Sequence, residues 1–489
     1  MFREWTADIE KARINLGIQG MSVGVVHKGK IIYAQGFGKR NDKDPFTPET
    51  LSHIASTTKA FTAAAVGELV AEKKARWDVP VNEYLPEFKL KDPRLTAEVN
   101  FIDLLAHRTG YPPLDLDWYH RPESRLELIK QIRNVDPEVP FRSAFVYHNI
   151  MYAVAGEAAA RIAGTSYERL VLDKVLRPVG MTSSGLSLAE MISRPNHALP
   201  YVSKSFEAAQ KGEVFRATPD TQYMTDAPAG DIYANIIDLS RWARAIMNNG
   251  QLDGKQVLAK ETVQTITTPW NIEQDFSRQD PASTAAYGLG WAIESYKGHR
   301  VVQHGGANPG YRTSLVLFPD DDLAIVCLSN NNINNLVDEI PYYIVDRFFN
   351  LPTTTDWLFD VAVTTTKRTY KYIGEDATQR ELFFPPQIKD KPASRNLKEF
   401  AGEYTHPYGM KLTVKVVEGR GKKAPTLAYK FVDFEGTLDH YHYDSFRIRV
   451  VQDYYKISVL VTFVSGPDGS IQEARVLMDE DSTKVFIKS

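Results

Sequence analysis

The stretch HIASTTKAFTAAAVGELV, residues 53–70, sets Ser56 and Lys59 three positions apart at the start of a run of small and apolar side chains. On an α-helix, positions i and i+3 share a face, so a helix beginning near Ser56 would let the serine Oγ and the lysine Nζ meet. The chemistry open to such a pair is nucleophilic. A serine hydroxyl attacks poorly until a neighbour takes its proton, and a lysine kept from water can lose or share its charge to help. The same residues also suit a capping serine and a solvated lysine. Against that alternative stands the segment AFTAAAVGELV, apolar nearly all round, which carries Lys59 toward a place where an unpaired ammonium is costly.

Two further stretches hold candidate groups. In FVYHNIMYAVAGE, Tyr147 and Asn149 stand two residues apart before a helical pattern, where a core tyrosine and an N-capping asparagine are the alternative. In VVQHGGANPGYRTSLVLF, a β-rich run ends in His304, Gly305 and Gly306. Glycines at the end of a strand make a bulge, or they let a ligand come close to the backbone.

The elements that must position these groups follow from periodicity. After a short amphipathic opening helix, MSVGVVHKGKIIYAQGFG reads as a hairpin turning at Lys28 and Gly29, and TSLVLFPDDDLAIVCLSN as a second, turning through Pro319 to Asp322. Between them, FIDLLAHRTG, NIMYAVAGEAAARIAG and DLSRWARAIMNNG show helical spacing ending in glycine. The expected fold class is therefore α+β: an antiparallel sheet made from both ends of the first 350 residues, flanked by helices, with a helical subdomain inserted. Residues 351–395, rich in Thr, Pro and Lys, read as a linker. From Asn396 the chain alternates apolar and polar residues, with Met410, Leu412, Val414 and Val416 on one face, as in a small all-β barrel occupying 396–489. No repeat of fixed period is present.

Composition excludes several function classes. A net charge of -3 over 489 residues gives no basic excess for nucleic acid. The single cysteine, Cys327, rules out an intrachain disulfide and cysteine-built metal sites. No H-E-x-x-H or paired carboxylate–histidine spacing occurs, so neither a catalytic metal nor a cofactor is expected. No apolar run reaches the ~20 residues of a membrane helix, and no secretory leader pattern opens the chain, so a cytoplasmic location is the default expectation.

Taken together, S-x-x-K, Y-x-N and H-G-G in this order resemble the serine hydrolases related to class C β-lactamases and D-alanyl-D-alanine carboxypeptidases. The resemblance covers residues 1–350, with further matches in WDVPVNEYLPEF, FIDLLAHRTGYP, LRPVGMTSSG, AGDIYANIIDLSRWARAIMNNG and YGLGW. It implies Ser56 as the acylated nucleophile, Lys59 as its proton partner, Tyr147 as a general base and Asn149 as a substrate-orienting group. His304, Gly305 and Gly306 fall where many members carry Lys-Thr-Gly, and by analogy the oxyanion hole would be the N–H groups of Ser56 and Ala307. A tyrosine of pKa near 10 is phenolate about one part in a thousand at neutral pH, a deficit of roughly 4 kcal/mol. A lysine ammonium about 4 Å away, at an effective dielectric near 20, supplies a term of roughly that size. Whether Lys59 or Tyr147 takes the proton is left open.

Departures from the family pattern bear on substrate. A histidine at the third motif, with a reference pKa near 6.5, would be about a quarter protonated at neutral pH, so carboxylate recognition should be weaker than with lysine, and pH dependent. Esters, amides or D-amino-acid peptides are thus expected over penicillins. Asp231 replaces a usual glycine and would read a cationic substrate or stand solvated in a loop, whereas His53 and His107 are expected in hydrogen-bonded scaffold roles. The segment LKEFAGEYTHPYGMKLTVKV resembles the lipocalin-like barrel that some members append, with covering the site mouth, restricting substrate size, oligomerisation or packing alone as its possible roles. The expected function is a serine hydrolase of small esters, amides or short peptides, with acyl transfer to an alcohol or amine, or an inactive binding protein on this fold, as alternatives. A homo-oligomer is a further expectation. Residues 111–145 and 186–228 are expected to line the pocket without encoding its chemistry.

Overall fold

The computed structural model describes residues 1–113, 121, 123–217, 227–273, 285–419, 424–431, 434–452, 455–477 and 483–489, giving only the backbone for 374–380, 451–452 and 455. Parts of both expected pocket-lining loops, 114–120, 122 and 218–226, thus lie outside the described residues. Two compact units divide the chain, Met1–Lys367 and Arg368–Ser489.

In the first unit, helix α1 (Phe2–Asn15) buries Trp5, Ile9 and Ala12, one stripe at three- and four-residue spacing. Strands β1 (Gly20–His27) and β2 (Lys30–Gly38) form the first hairpin. Its turn residues Lys28 and Gly29 have φ of 49° and 67°, the sign that a two-residue turn needs to follow the strand twist. Strand β3 (Ser52–His53) leads through a 3-10 turn, Ala55–Thr57, into helix α2 (Thr58–Ala71). Helix α3 (Asn149–Ala163) ends at Gly164, whose φ of 68° makes the left-handed cap. Strands β4 (Gly185–Leu186) and β5 (Ile232–Ala234) precede helix α4 (Ile236–Met247). Then follow β6 (Asn271–Ile272), β7 (Ala286–Tyr287), β8 (Ala292–Tyr296), β9 (His299–Asn308), β10 (Tyr311–Phe318), β11 (Leu323–Ser329) and helix α5 (Leu336–Phe348).

The main sheet has the antiparallel order β6-β7-β8-β9-β10-β11-β1-β2, so strands from both ends of the unit share one sheet as expected. Every residue of β11 is buried, which means that both faces of the sheet's middle are covered. Helices α4 and α5 pack against β10 and β11. Lone Cys327 lies buried in β11. A second, three-stranded sheet, β3-β5-β4, fixes the strand before the serine turn.

Helix α2 is buried along nearly its whole circumference, from Thr58 to Gly67 and again at Leu69. Small side chains make this possible, because neighbouring elements approach its backbone closely. Phe61 stacks on Trp242 of α4, with ring centroids 4.1 Å apart. A Cβ on Gly290, in the YGLGW segment, would lie 2.6 Å from Ala60 N, so the strand turn there rests on the helix backbone.

The second unit closes eight antiparallel strands, between Gly402 and Lys488, into a barrel in which the first strand pairs with the last. Tyr404, Leu412, Val414, Phe446, Phe463 and Phe486 are buried. One sequence expectation is corrected. The segment 351–395 contains a helix, Ala362–Leu382, preceded by a π-type turn at Trp357–Val361, and the boundary between the units falls inside that helix. Leu358, Ala362 and Thr366 are buried at four-residue spacing, and Thr366 Oγ1 accepts from Asn335 N, so packing overrides the poor helix propensity of VTTTK. Among the described residues no helix is long and apolar enough to cross a membrane.

Candidate active site

Ser56 sits in the 3-10 turn rather than inside α2, and the preceding Ala55 has a φ of 47°. A non-glycine residue in the left-handed region must be held there by its surroundings. Ala55 N–H donates to His53 Nδ1, and Ile54 N–H to Ile232 O. Thr57 Oγ1 donates to His304 O, and Ile232 N–H to Thr58 Oγ1. The turn is thus bound to β5 on one side and to β9 on the other.

Lys59 is 0% exposed, and its Nζ donates to Ser56 Oγ at 3.0 Å, to Asn149 Oδ1 at 2.7 Å and to Ala229 O at 3.0 Å. The Nζ also lies 4.7 Å from the Tyr147 ring centroid and 5.4 Å from that of Tyr152. These hydrogen bonds and aromatic faces offset the desolvation of the buried amine nitrogen. Asn149 is the first residue of α3, whose N-cap is His148 without a side-chain bond, so the asparagine amide is turned to the lysine instead of capping the helix. Four of the residues singled out in sequence, Ser56, Lys59, Tyr147 and Asn149, therefore meet around the Nζ of Lys59.

Tyr147 is held by its ring. His107 packs 4.4 Å from it, centroid to centroid, and also touches Tyr152 and Tyr287 at 5.2 and 4.9 Å. His107 is fully buried, and its Nδ1 accepts from His148 N–H at 3.0 Å, which places the chain entering α3. Burial, with the Lys59 charge second, holds its pKa well below the ordinary histidine value.

His304 differs from the expectation. Its Nε2 is 2.8 Å from Tyr287 Oη and its Nδ1 is 2.6 Å from Gly305 O. A carbonyl can only accept, so the proton is on Nδ1, and Nε2 accepts from the tyrosine hydroxyl. Burial, reinforced by the Lys59 charge, pushes its pKa down to about 3, which leaves it neutral where a quarter-charged ring was expected. The pH-dependent cation inferred from the reference pKa is therefore absent from this position near neutral pH.

The two glycines that follow differ in what they do. A Cβ on Gly306 would stand 2.2 Å from Ile54 O and 3.0 Å from Ser56 N, so β9 passes directly against the serine turn there. At Gly305 the nearest atom would be Thr313 O at 3.5 Å, ordinary contact. Ala307 pairs with Arg312 in the same hairpin. Asp231 is part-buried, with Oδ1 3.9 Å from His53 Nε2, and lies in the β5 entry that also supplies Ala229 O to Lys59. In that connecting segment it is largely shielded from water rather than solvated.

Sequence reasoning gave no role to Ala229, Tyr287 or Gly290. Ala229 acts through a carbonyl, which has no residue-type signature. Gly290 was visible as a glycine in a quoted segment, and close approach is the physical reason for it. Among the described residues no group of three or more His, Cys, Asp or Glu side chains is placed to hold a metal ion.

Comparisons with known proteins bear on the family and the fold. A family model described as Beta-lactamase matches residues 5–346, and a model described as a domain of unknown function, DUF3471, matches 386–486. The chain is 26% identical to an unguisins hydrolase of Aspergillus campestris, over 96% of this chain and 89% of that one. It is 22% identical to the beta-lactamase of Escherichia coli, over 65% of this chain and 85% of the other. In fold it is similar to the octameric penicillin-binding protein homologue of Pyrococcus abyssi, with a TM-score of 0.60 at 19% identity and 99% coverage of both chains.

Proposed function

The chain belongs to the Beta-lactamase family, and from that premise we propose that it is a serine hydrolase, cleaving a neutral ester or amide bond through an acyl-Ser56 intermediate. One observation carries the reading. The buried Nζ of Lys59 lies 3.0 Å from Ser56 Oγ while Asn149 Oδ1 and Ala229 O, which can only accept, take its other hydrogens. As a neutral amine, Lys59 has two hydrogens for those acceptors and a lone pair left for the Ser56 proton; as an ammonium it donates its third hydrogen to Oγ.

In acylation, the bond from Ser56 Oγ to the carbonyl carbon forms as the Oγ proton passes to Lys59 Nζ or Tyr147 Oη. The resulting oxyanion is stabilised by the N–H groups of Ser56 and Ala307. The bond to the alcohol or amine then breaks, and the leaving group carries the proton away. Water repeats the sequence on the acyl-enzyme, losing a proton to the same base and returning it to Ser56. Tyr147, whose ring lies against the same Nζ, is the second candidate base.

Neutral His304 offers no charge at the third motif, which supports a substrate without a carboxylate at that position. The relative named for unguisins supports including such compounds in an assay panel. The test is product analysis on matched p-nitrophenyl esters, D-amino-acid amides and blocked peptides, with and without a free carboxylate. Hydrolysis of the uncharged members at least tenfold faster is expected. Turnover confined to carboxylate-bearing substrates, or to acyl transfer onto added amines with none to water, would overturn the reading.

A further inference from the structure

One buried group at the serine turn is not used by the mechanism above. His53 is 2% exposed, and its Nδ1 takes Ala55 N–H at 3.3 Å and Asn308 Nδ2 at 3.1 Å. Both partners are donors, so Nδ1 carries no proton, and the neutral ring holds its proton on Nε2, facing Asp231 Oδ1 at 3.9 Å. Ala55 precedes Ser56 and needs support at φ 47°, whereas Asn308 follows Ala307 at the end of β9. One lone pair thus joins the neighbours of both N–H groups assigned to the oxyanion. Other bonds from β9 and β10 to this region act elsewhere: Thr57 Oγ1 reaches His304 O at 3.3 Å, and Thr313 Oγ1 reaches His53 O at 3.4 Å.

We propose that His53 is a positioning residue of the oxyanion hole: by accepting from Ala55 N–H and Asn308 Nδ2 together, its Nδ1 fixes the separation of Ser56 N–H and Ala307 N–H. The inference rests on the reading of Ser56 as nucleophile. Burial lowers the ring's pKa to about 4, so the acceptor is present near neutral pH. Oxyanion stabilisation depends on donors set at the place where charge develops, and losing one such donor costs about 100- to 1,000-fold in rate.

The test compares His53→Asn, whose Oδ1 replaces the Nδ1 acceptor at the same branch of the side chain, with His53→Leu, which has none. Acylation is followed in single-turnover p-nitrophenyl ester cleavage and by fluorophosphonate labelling of the full chain. His53→Leu is expected to lose about 30- to 300-fold in kcat with KM changed less than threefold, and His53→Asn to stay within about fivefold of wild type. Asn308→Ala, which removes only the strand's donor, is expected to lose about 5- to 30-fold, and it decides the matter alone if His53→Leu fails to fold. Wild-type kcat in His53→Leu or in Asn308→Ala, equal losses in His53→Leu and His53→Asn, or a loss confined to KM would overturn the inference while leaving Ser56 as nucleophile. An unlabelled wild type would instead overturn the Ser56 reading, and this one with it.

Discussion

Gly305 and Gly306 are adjacent in β9, yet replacing each with alanine should give opposite results. At Gly306 the new Cβ would stand 2.2 Å from Ile54 O, and real Cβ atoms essentially never come under 3.0 Å, so strand and serine turn must separate by about 0.8 Å. Both sides are backbone, held by the Thr57–His304 and Thr313–His53 hydrogen bonds, so no flexible side chain can absorb the shift. Overpacking of this kind costs about 1–3 kcal/mol. The larger effect is on rate, because a misplacement near 1 Å within a reacting constellation costs on the order of a hundredfold. At Gly305 the nearest atoms, Thr313 O at 3.5 Å and Asp338 Oδ1 at 3.8 Å, leave room for a methyl group. The assay is the second-order rate of fluorophosphonate labelling, with urea unfolding of the same samples. Gly306→Ala should lose about a hundredfold in labelling and Gly305→Ala less than threefold. Wild-type labelling of Gly306→Ala, or equal loss in both, would refute the packing of β9 against the turn.

Three other perturbations follow from the same contacts. Lys59→Met keeps an unbranched apolar stem, one atom shorter, but removes the proton partner, so labelling should fall at least a hundredfold, and leaving Asn149 Oδ1 and Ala229 O without the lysine donor should cost about 1–3 kcal/mol each in urea unfolding. Tyr287→Phe removes the hydroxyl bonded to the buried His304 Nε2 and should lower stability by about 1–3 kcal/mol while labelling stays within a few-fold, checked by the same two assays. The pH dependence has a definite sign. Burial depresses His53 to about 4 and His148 and His304 to about 3, so the unfolded chain binds protons that the native one does not. Their contribution is complete above the unfolded value of about 6.5 and is lost as pH falls toward 4 and 3, at up to about 1.4 kcal/mol per imidazole per pH unit. Urea midpoints should drop between pH 6.5 and pH 5, and a flat profile there would contradict the buried neutral imidazoles.

Much of this was legible in sequence because the signals were local or came as a set. The i, i+3 spacing gave the Ser56–Lys59 contact, alternation gave the barrel strands, and the hairpin turns at Lys28-Gly29 and Pro319–Asp322 gave a sheet made from both ends of the unit. What failed depended on partners distant in the chain. His304 was assigned a reference pKa because nothing near it in sequence reveals that Tyr287, on another strand, caps its Nε2 and that the ring is buried. Asp231 was read as solvated for the same reason, its neighbour His53 being far away in sequence. Ala229 offers a main-chain oxygen, which any residue could provide. The helix from Ala362 was missed because its run of threonines is a poor former, and the burial at Ala362 and Thr366 that marks its packed face has no local signature.

The central claim is that the Ser56 hydroxyl, beside a buried lysine amine, becomes covalently acylated during turnover. Intact-protein mass spectrometry with peptide mapping after fluorophosphonate treatment addresses it directly. One adduct per chain, located on Ser56 and missing from Ser56→Ala, is the predicted result. An adduct on another residue, or undiminished labelling of Ser56→Ala, would contradict it.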